Sequence, residues 1–286
     1  MRSKPKLLWI DAVSCNGCSH SFFNIDLSFL DDFELLYHPL LPSGDFKIQS
    51  SDILIVEGAI KSNFLRLGFD LNELISKLFF KAKMVIALGT CAVYGGIFGE
   101  GLVFNKTSKG KFFKCKDKVI NIPGCPAHPE WLFYVLNMLK ENKKIVLDEL
   151  NRPVEIFSYT SHMGCTRNEY FEWKVDAKRF GEKEGCLFYY FGCQGPFTHS
   201  SCNKILWNEV NSKPRAGTPC FGCTEPLFPK ENLFQTETFM GIPANIPLGV
   251  SKRAYLTLSG IAKSLTNERL TKRLIKCENE DKQKDN

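Results

Sequence analysis

Thiolates are the side chains that hold soft metal centres, and this chain concentrates them in one stretch. From His162 onward it places His162, Cys165, Cys186, Cys193, Cys202, Cys220 and Cys223. Gly192, Gly195, Pro196, Pro214, Gly217, Pro219 and Gly222 lie among them, and these residues favour turns over helix or sheet. Loops can aim several side chains at one point, so the pattern predicts backbone wrapped around metal. The set divides into four ligands, His162, Cys165, Cys186 and Cys193, and three, Cys202, Cys220 and Cys223. Iron–sulfur cubanes take four protein ligands, mostly thiolates with an occasional imidazole. Three thiolates fit a cluster short of one iron.

Four further cysteines stand earlier. Cys15 and Cys18 form a Cys-x-x-Cys pair, and Cys91 and Cys125 are single. They follow apolar runs of strand length at 6–12, 84–88 and 119–122. Two more such runs lie at 35–40 and 53–56, while 19–30, 67–81 and 127–140 carry apolar residues at helical spacing. Near-continuous apolar strands alternating with helices predict an α/β fold, a flavodoxin-like doubly wound parallel sheet covered on both faces. Ligands bind such sheets outside the carboxyl ends of the strands. Cys15, Cys18, Cys91 and Cys125 are therefore expected on one edge as a second four-thiolate site. Glu57 follows the 53–56 run at that same edge and reads either as a proton relay or as a structural carboxylate.

Other chemistries use similar spacings. A lone Cys-x-x-Cys also serves as a redox dithiol, and four cysteines also make tetrahedral zinc sites. Eleven ligands dividing four, four and three fit three iron–sulfur clusters better than whole zinc sites. His20, His38, His128 and His199 read as ordinary polar side chains. Cys115, between Lys114 and Lys116 in an expected exposed loop, and Cys277 read as free thiols.

Composition bounds the setting. The 286 residues suffice for two domains, and 12 cysteines are too few for a disulfide scaffold of this length. The N-terminal residues carry no twin-arginine pair or cleavage signature, and no run of apolar residues reaches transmembrane length. The expected setting is the cytoplasm, with no membrane anchor. A net charge of +6, scattered along the chain, gives no case for nucleic acid. Charged residues between Glu141 and Arg152 mark a boundary between a sheet domain, 1–150, and a loop-rich iron–sulfur domain, 151–250. The remainder, 251–286, holds an amphipathic helix at 253–265 and a polar tail from Glu278 expected to be disordered.

These residues resemble the small, electron-transfer subunit of nickel–iron hydrogenases over nearly the whole chain. Trp9 with Cys15-Asn16-Gly17-Cys18-Ser19, then Ala87-Leu88-Gly89-Thr90-Cys91-Ala92 with Gly95-Gly96, and Pro123-Gly124-Cys125-Pro126 resemble its first three motifs. The resemblance implies that Cys15, Cys18, Cys91 and Cys125 hold a proximal [4Fe-4S] cluster. His162-Met163-Gly164-Cys165-Thr166-Arg167 with Cys186 and Cys193 resembles the distal [4Fe-4S] site. Cys202 and Cys220-Phe221-Gly222-Cys223 resemble the medial [3Fe-4S] site. The implied activity is reversible oxidation of H2, with the nickel–iron chemistry in a large-subunit partner. This chain would hold no catalytic residue and would pass electrons to an acceptor the sequence does not identify.

Several positions depart from the family pattern. Six residues separate Cys186 from Cys193 where five are usual, Thr218 stands where the family often has His, and Pro214 lies one place nearer Cys220 than usual. Gly17 and Gly96 replace the extra cysteines of the oxygen-tolerant membrane-bound branch, which implies an ordinary proximal cubane. Residues 247–256 resemble the C-terminal segment of cytoplasmic uptake and sensory members. Two alternatives remain at this point: a cluster-bearing subunit of a complex-I-like oxidoreductase, and a zinc-stabilised interaction module.

Overall fold

The computed structural model describes residues 3–43, 45–103, 113–231, 233–239, 241–246 and 250–265. Its centre is built from the apolar runs, which lack the alternation of a half-solvated strand. β1 (Lys6–Asp11), β2 (Glu34–Tyr37), β3 (Ser51–Glu57), β4 (Ala82–Leu88) and β5 (Val119–Ile122) pair in parallel in the order β2-β1-β3-β4-β5. That is the flavodoxin-like order expected. Register aligns four of the strand ends: Asp11 pairs with Glu57, Glu57 with Leu88, and Leu88 with Ile122.

Alternate residues leave each strand on opposite faces, so two cores form. Leu8, Ile10, Leu54, Val56, Val85 and Ala87 pack under α2 (Leu71–Lys81), through Leu74, Ile75 and Leu78. Leu7, Trp9, Ile53, Ile55, Ile86 and Ile120 pack under α4 (Pro129–Lys140), through Trp131, Leu132 and Val135. Two shorter helices, α1 (Gly17–Phe22) and α3 (Gly89–Tyr94), follow the ends of β1 and β4, α3 with no intervening residue.

From Asn151 onward the backbone changes character. Short helices α5 (Val154–Phe157), α6 (Asn168–Glu172) and α7 (Phe188–Phe191) are separated by turns, and Thr238–Phe239 pairs antiparallel with Ile242–Pro243. The last element is α8 (Lys252–Leu265), which buries no residue. Polar contacts join this part to the sheet: Trp131 Nε1 donates to Ser201 Oγ at 2.8 Å, and Arg152 Nη1 donates to the Thr224 carbonyl at 3.2 Å. Among the described residues no helix is long and apolar enough to cross a membrane. The Pro247–Gly249 part of the C-terminal motif, Cys277 and the polar tail lie outside the described residues.

Three expectations need correction. The helix expected at 19–30 stops at Phe22, because the Asn24 amide donates to the carbonyls of His20 and Ser21 at 3.1 Å each. The chain resumes as a 3-10 turn at Leu27–Asp32 that Asp26 caps. The helix expected at 67–81 starts at Leu71, since Leu65–Arg66 pairs with Phe69–Asp70 and the Asp70 carboxylate caps the Glu73 amide at 3.1 Å. Cys115 is half-buried against the α2-side core, not exposed in a loop.

Leu54 is fully buried in the central strand. Leu54→Ala should cost ~2–5 kcal/mol through lost contacts and a residual cavity. Asp70→Ala, which removes only a helix cap, should cost about 1 kcal/mol. Melting temperatures of the two purified variants check this, and a larger drop for Asp70→Ala would contradict the layering described.

Candidate metal centres

The row Asp11–Glu57–Leu88–Ile122 is where the first four cysteines emerge. Cys15 and Cys18 follow β1 through Asn16, whose φ of 58° turns the chain into α1. Cys91 lies in α3 directly after β4, and Cys125 follows β5. Three glycines keep space beside the sulfurs. A Cβ at Gly89 would stand 2.5 Å from Cys18 Sγ, one at Gly96 2.9 Å from Cys91 Sγ, and one at Gly17 3.2 Å from Cys15 Sγ. The thiols also feel one another. Burial pushes Cys18 well above its usual pKa, with Glu57, Cys91 and Cys125 adding to the effect. Cys91 is pushed up to about 11 by burial, then by Cys125 and Cys15. Cys15 and Cys125 are exposed, so the group opens outward at the sheet edge.

Glu57 is buried beneath this group. Its Oε1 accepts from Ser14 Oγ and the Cys18 amide, both at 3.1 Å, and its Oε2 accepts from the Ser19 amide at 3.2 Å and from Ser19 Oγ. All four donors lie between Ser14 and Ser19, around the Cys15–Cys18 pair, so the geometry makes the carboxylate a clamp on that segment. Thr90 ties three cysteine loops together. Its hydroxyl accepts from the Gly124 amide at 2.9 Å and donates to the Cys223 carbonyl, while its own amide donates to the Gly124 carbonyl.

The second group gathers around a buried guanidinium. Arg167 Nε donates to the Pro214 carbonyl and Nη1 to the Gly185 carbonyl, each at 2.7 Å, and Nη2 donates to the Glu182 carbonyl. Burial pulls the Arg167 pKa down, while the thiolates of Cys165, Cys186 and Cys193 pull it up. The structure therefore brings those three cysteines to one place. His162 joins them at the backbone: a Cβ at Gly195 would lie 3.4 Å from Cys193 Sγ and 3.6 Å from the His162 amide nitrogen. The His162 ring meets Phe171 edge-on at 4.6 Å between centroids. Burial lowers its pKa, with Lys174 adding to that, which favours the neutral imidazole that metals bind.

Cys202, Cys220 and Cys223 form the third group. Cys202 is pushed up to about 12 by burial and then by Cys223 and Cys220, and Cys220 is raised by burial and then by Cys223. Two residues before Cys220, Thr218 Oγ1 donates to the Lys213 carbonyl at 3.1 Å.

The donor chemistry suits iron–sulfur clusters. Four of the cysteines accept backbone N–H groups at 3.4 Å: Cys18 from Ala127, Cys165 from Arg167, Cys186 from Phe188 and Cys193 from Cys220. Such bonds stabilise thiolates and tune cluster potentials. Among the described residues, no three His, Cys, Asp or Glu side chains gather as one metal ion would require. The spacing of cysteines gave no sign of Thr90, Arg167 or Ser19 as supports. Their roles come from side-chain bonds to distant backbone, which leave no periodic trace.

Comparison with known proteins supplies independent findings. Residues 157–235 match the family described as the C-terminal part of the NiFe/NiFeSe hydrogenase small subunit, and residues 15–139 match that of the NADH ubiquinone oxidoreductase 20 Kd subunit. The periplasmic [NiFe] hydrogenase small subunit 1 of Nitratidesulfovibrio vulgaris is 34% identical over 254 residues, covering 79% of this chain and 80% of its own. The corresponding subunit of Solidesulfovibrio fructosivorans is 30% identical over 252 residues, with the same coverage of both chains. Among solved structures, the [NiFeSe] hydrogenase of Desulfovibrio vulgaris Hildenborough superposes with a TM-score of 0.67 at 26% identity, over 82% of this chain and 98% of that one.

The burial pattern predicts an order of reactivity in metal-free, reduced protein that keeps this fold. A thiol at about 11 is ionised to only about one part in a thousand at pH 8, and each added pH unit raises that fraction roughly tenfold. Exposed Cys15 should alkylate first, Cys91 much later, and Cys186, pushed up to about 12 by burial, later still. Mass-spectrometric footprinting against pH reads this order directly, and uniform labelling would contradict it.

Proposed function

We propose that this chain, which belongs to the small-subunit family of [NiFe] hydrogenases, relays electrons between a large subunit that splits H2 and an external acceptor. The observation that carries the reading is the first cysteine group. Four cysteines far apart in sequence converge at one sheet edge, and two of them are exposed there. A buried core holds the edge rigid while its outer side stays open for a partner. Cys15, Cys18, Cys91 and Cys125 would hold the proximal [4Fe-4S] cluster, with Glu57 and Thr90 fixing their loops. His162, Cys165, Cys186 and Cys193 would hold the distal [4Fe-4S] cluster, and Cys202, Cys220 and Cys223 the medial [3Fe-4S] cluster. Bound there, the clusters supply one-electron carriers spaced through the chain.

The chain's own residues do the rest of the work. Thr90 links the proximal loops to Cys223 of the medial group, and Trp131 bonds Ser201 beside Cys202. Arg167 braces the distal segment against Pro214, which precedes the medial pair. Successive sites are thus joined by short, buried contacts that keep their separations fixed. The complex-I-like alternative accounts for residues 15–139 alone, and the match over 157–235 favours the hydrogenase reading. Within the family we favour the cytoplasmic uptake or sensory branch, on the 247–256 motif. The relatives named above are periplasmic enzymes, so fractionation of cells carrying the tagged chain is the direct check of location.

Two measurements test the assignment. Metal and sulfide analysis should find about 11 iron atoms per chain, eight in two cubanes and three in the third cluster. A value near 12 would mean that the medial site has a fourth ligand, and zinc in place of iron would sink the reading. In the assembled two-subunit enzyme, Cys165→Ala should cut dye reduction by H2 steeply yet leave hydrogen–deuterium exchange largely intact. Exchange needs no net electron flow, so parallel loss of both activities would show that the distal role is misassigned.

A further inference from the structure

Two of the cations in the cysteine-rich part lie beside its thiols without a carboxylate ion pair among the described residues. Arg167 is one, held by carbonyls as described. The other is Lys213, whose ammonium lies 5.5 Å from the centroid of the Phe221 ring. Phe221 directly follows Cys220, one of the three medial cysteines. The Lys213 carbonyl accepts from the Thr218 amide at 3.0 Å and from Thr218 Oγ1 at 3.1 Å. These bonds close the turn that leads into Cys220 and fix the base of the lysine side chain. The neighbours that act most on its charge are Cys223, Cys202 and Cys220, followed by Cys125 of the proximal group. Reciprocally, Lys213 draws the Cys125 and Cys202 thiols toward ionisation, although burial dominates both and raises them.

A cation taken out of water without a counter-ion is costly, so its position needs a compensating negative charge. Three thiolates with an iron–sulfur core provide one, and reduction adds another negative charge to it. A fixed cation therefore favours the reduced state over the oxidised one, and more so for the nearer centre.

We propose that Lys213 is a potential-setting residue, whose fixed charge favours the reduced form of the medial centre at Cys202, Cys220 and Cys223 over that of the proximal centre at Cys125. The inference rests on the cluster assignment above. One electron leaves the proximal centre, oxidising it, and arrives at the medial centre, reducing it. Lys213 makes that exchange more favourable without taking part in bonding.

The test uses the assembled two-subunit enzyme carrying Lys213→Met, Lys213→Gln or Lys213→Arg. Iron and acid-labile sulfide are counted first, and the medial centre is then titrated against ambient potential by electron paramagnetic resonance. In the two neutral variants the ratio of reduced to oxidised medial centre should fall tenfold or more at fixed potential, equivalent to 59 mV for one electron. Lys213→Arg should restore the midpoint. A full iron count with an unchanged midpoint in either neutral variant overturns the proposal. Loss of the medial centre in both also overturns it, since the residue would then hold the fold and not the potential. Absence of iron and sulfide from the unaltered enzyme would instead refute the cluster assignment.

Discussion

Everything at the cysteine edge depends on the register of four parallel strands. Each strand could slide by two residues and still bury the same faces, but the carboxyl ends would then stop at different heights. The pairing of Asp11 with Glu57, Glu57 with Leu88 and Leu88 with Ile122 sets those ends level. The loops beyond can then be very short. Only a few residues separate Leu88 from Cys91 and Ile122 from Cys125. Short loops on a level row place sulfurs accurately, because little backbone freedom remains for them to lose. Glu57 shows the same economy: it ends a strand in that row and uses its carboxylate to hold the neighbouring loop.

Stability is distributed unevenly along the chain. The two apolar clusters on the sheet draw almost all of their side chains from residues up to Phe157. Beyond that point, among the described residues, buried polar groups such as Arg167, Ser161, Thr198 and Asn203 fill much of the interior. Thiols buried there are raised above their ordinary pKa values by loss of water. Such a region gains little from hydrophobic burial alone. In the proposed reading, metal would supply the missing term by replacing thiol protons with bonds that also fix the loops.

The sheet and the gathering of the cysteines were legible in the sequence for different reasons. Uninterrupted apolar runs specify strands buried on both faces, and the residues after each run specify an edge. The cysteine groups were legible because soft ligands concentrated in turns have few other uses. Less visible were the events decided by one polar side chain reaching backbone: Asn24 ending α1, Asp70 starting α2, and Thr90 joining three loops. Such bonds occur singly, without periodicity. Cys115 was misplaced for a related reason, since lysines on either side suggest solvent while the thiol itself packs inward.

The openness of the first centre sets the lifetime of the unpaired chain. Cys186, Cys220 and Cys223 are shielded by the fold, whereas Cys15 and Cys125 meet solvent. Oxidative damage to cysteine follows thiolate character and access, and its later stages are irreversible. A newly made chain therefore ages from its sheet edge inward. A partner seated on that edge, as proposed, would end this exposure.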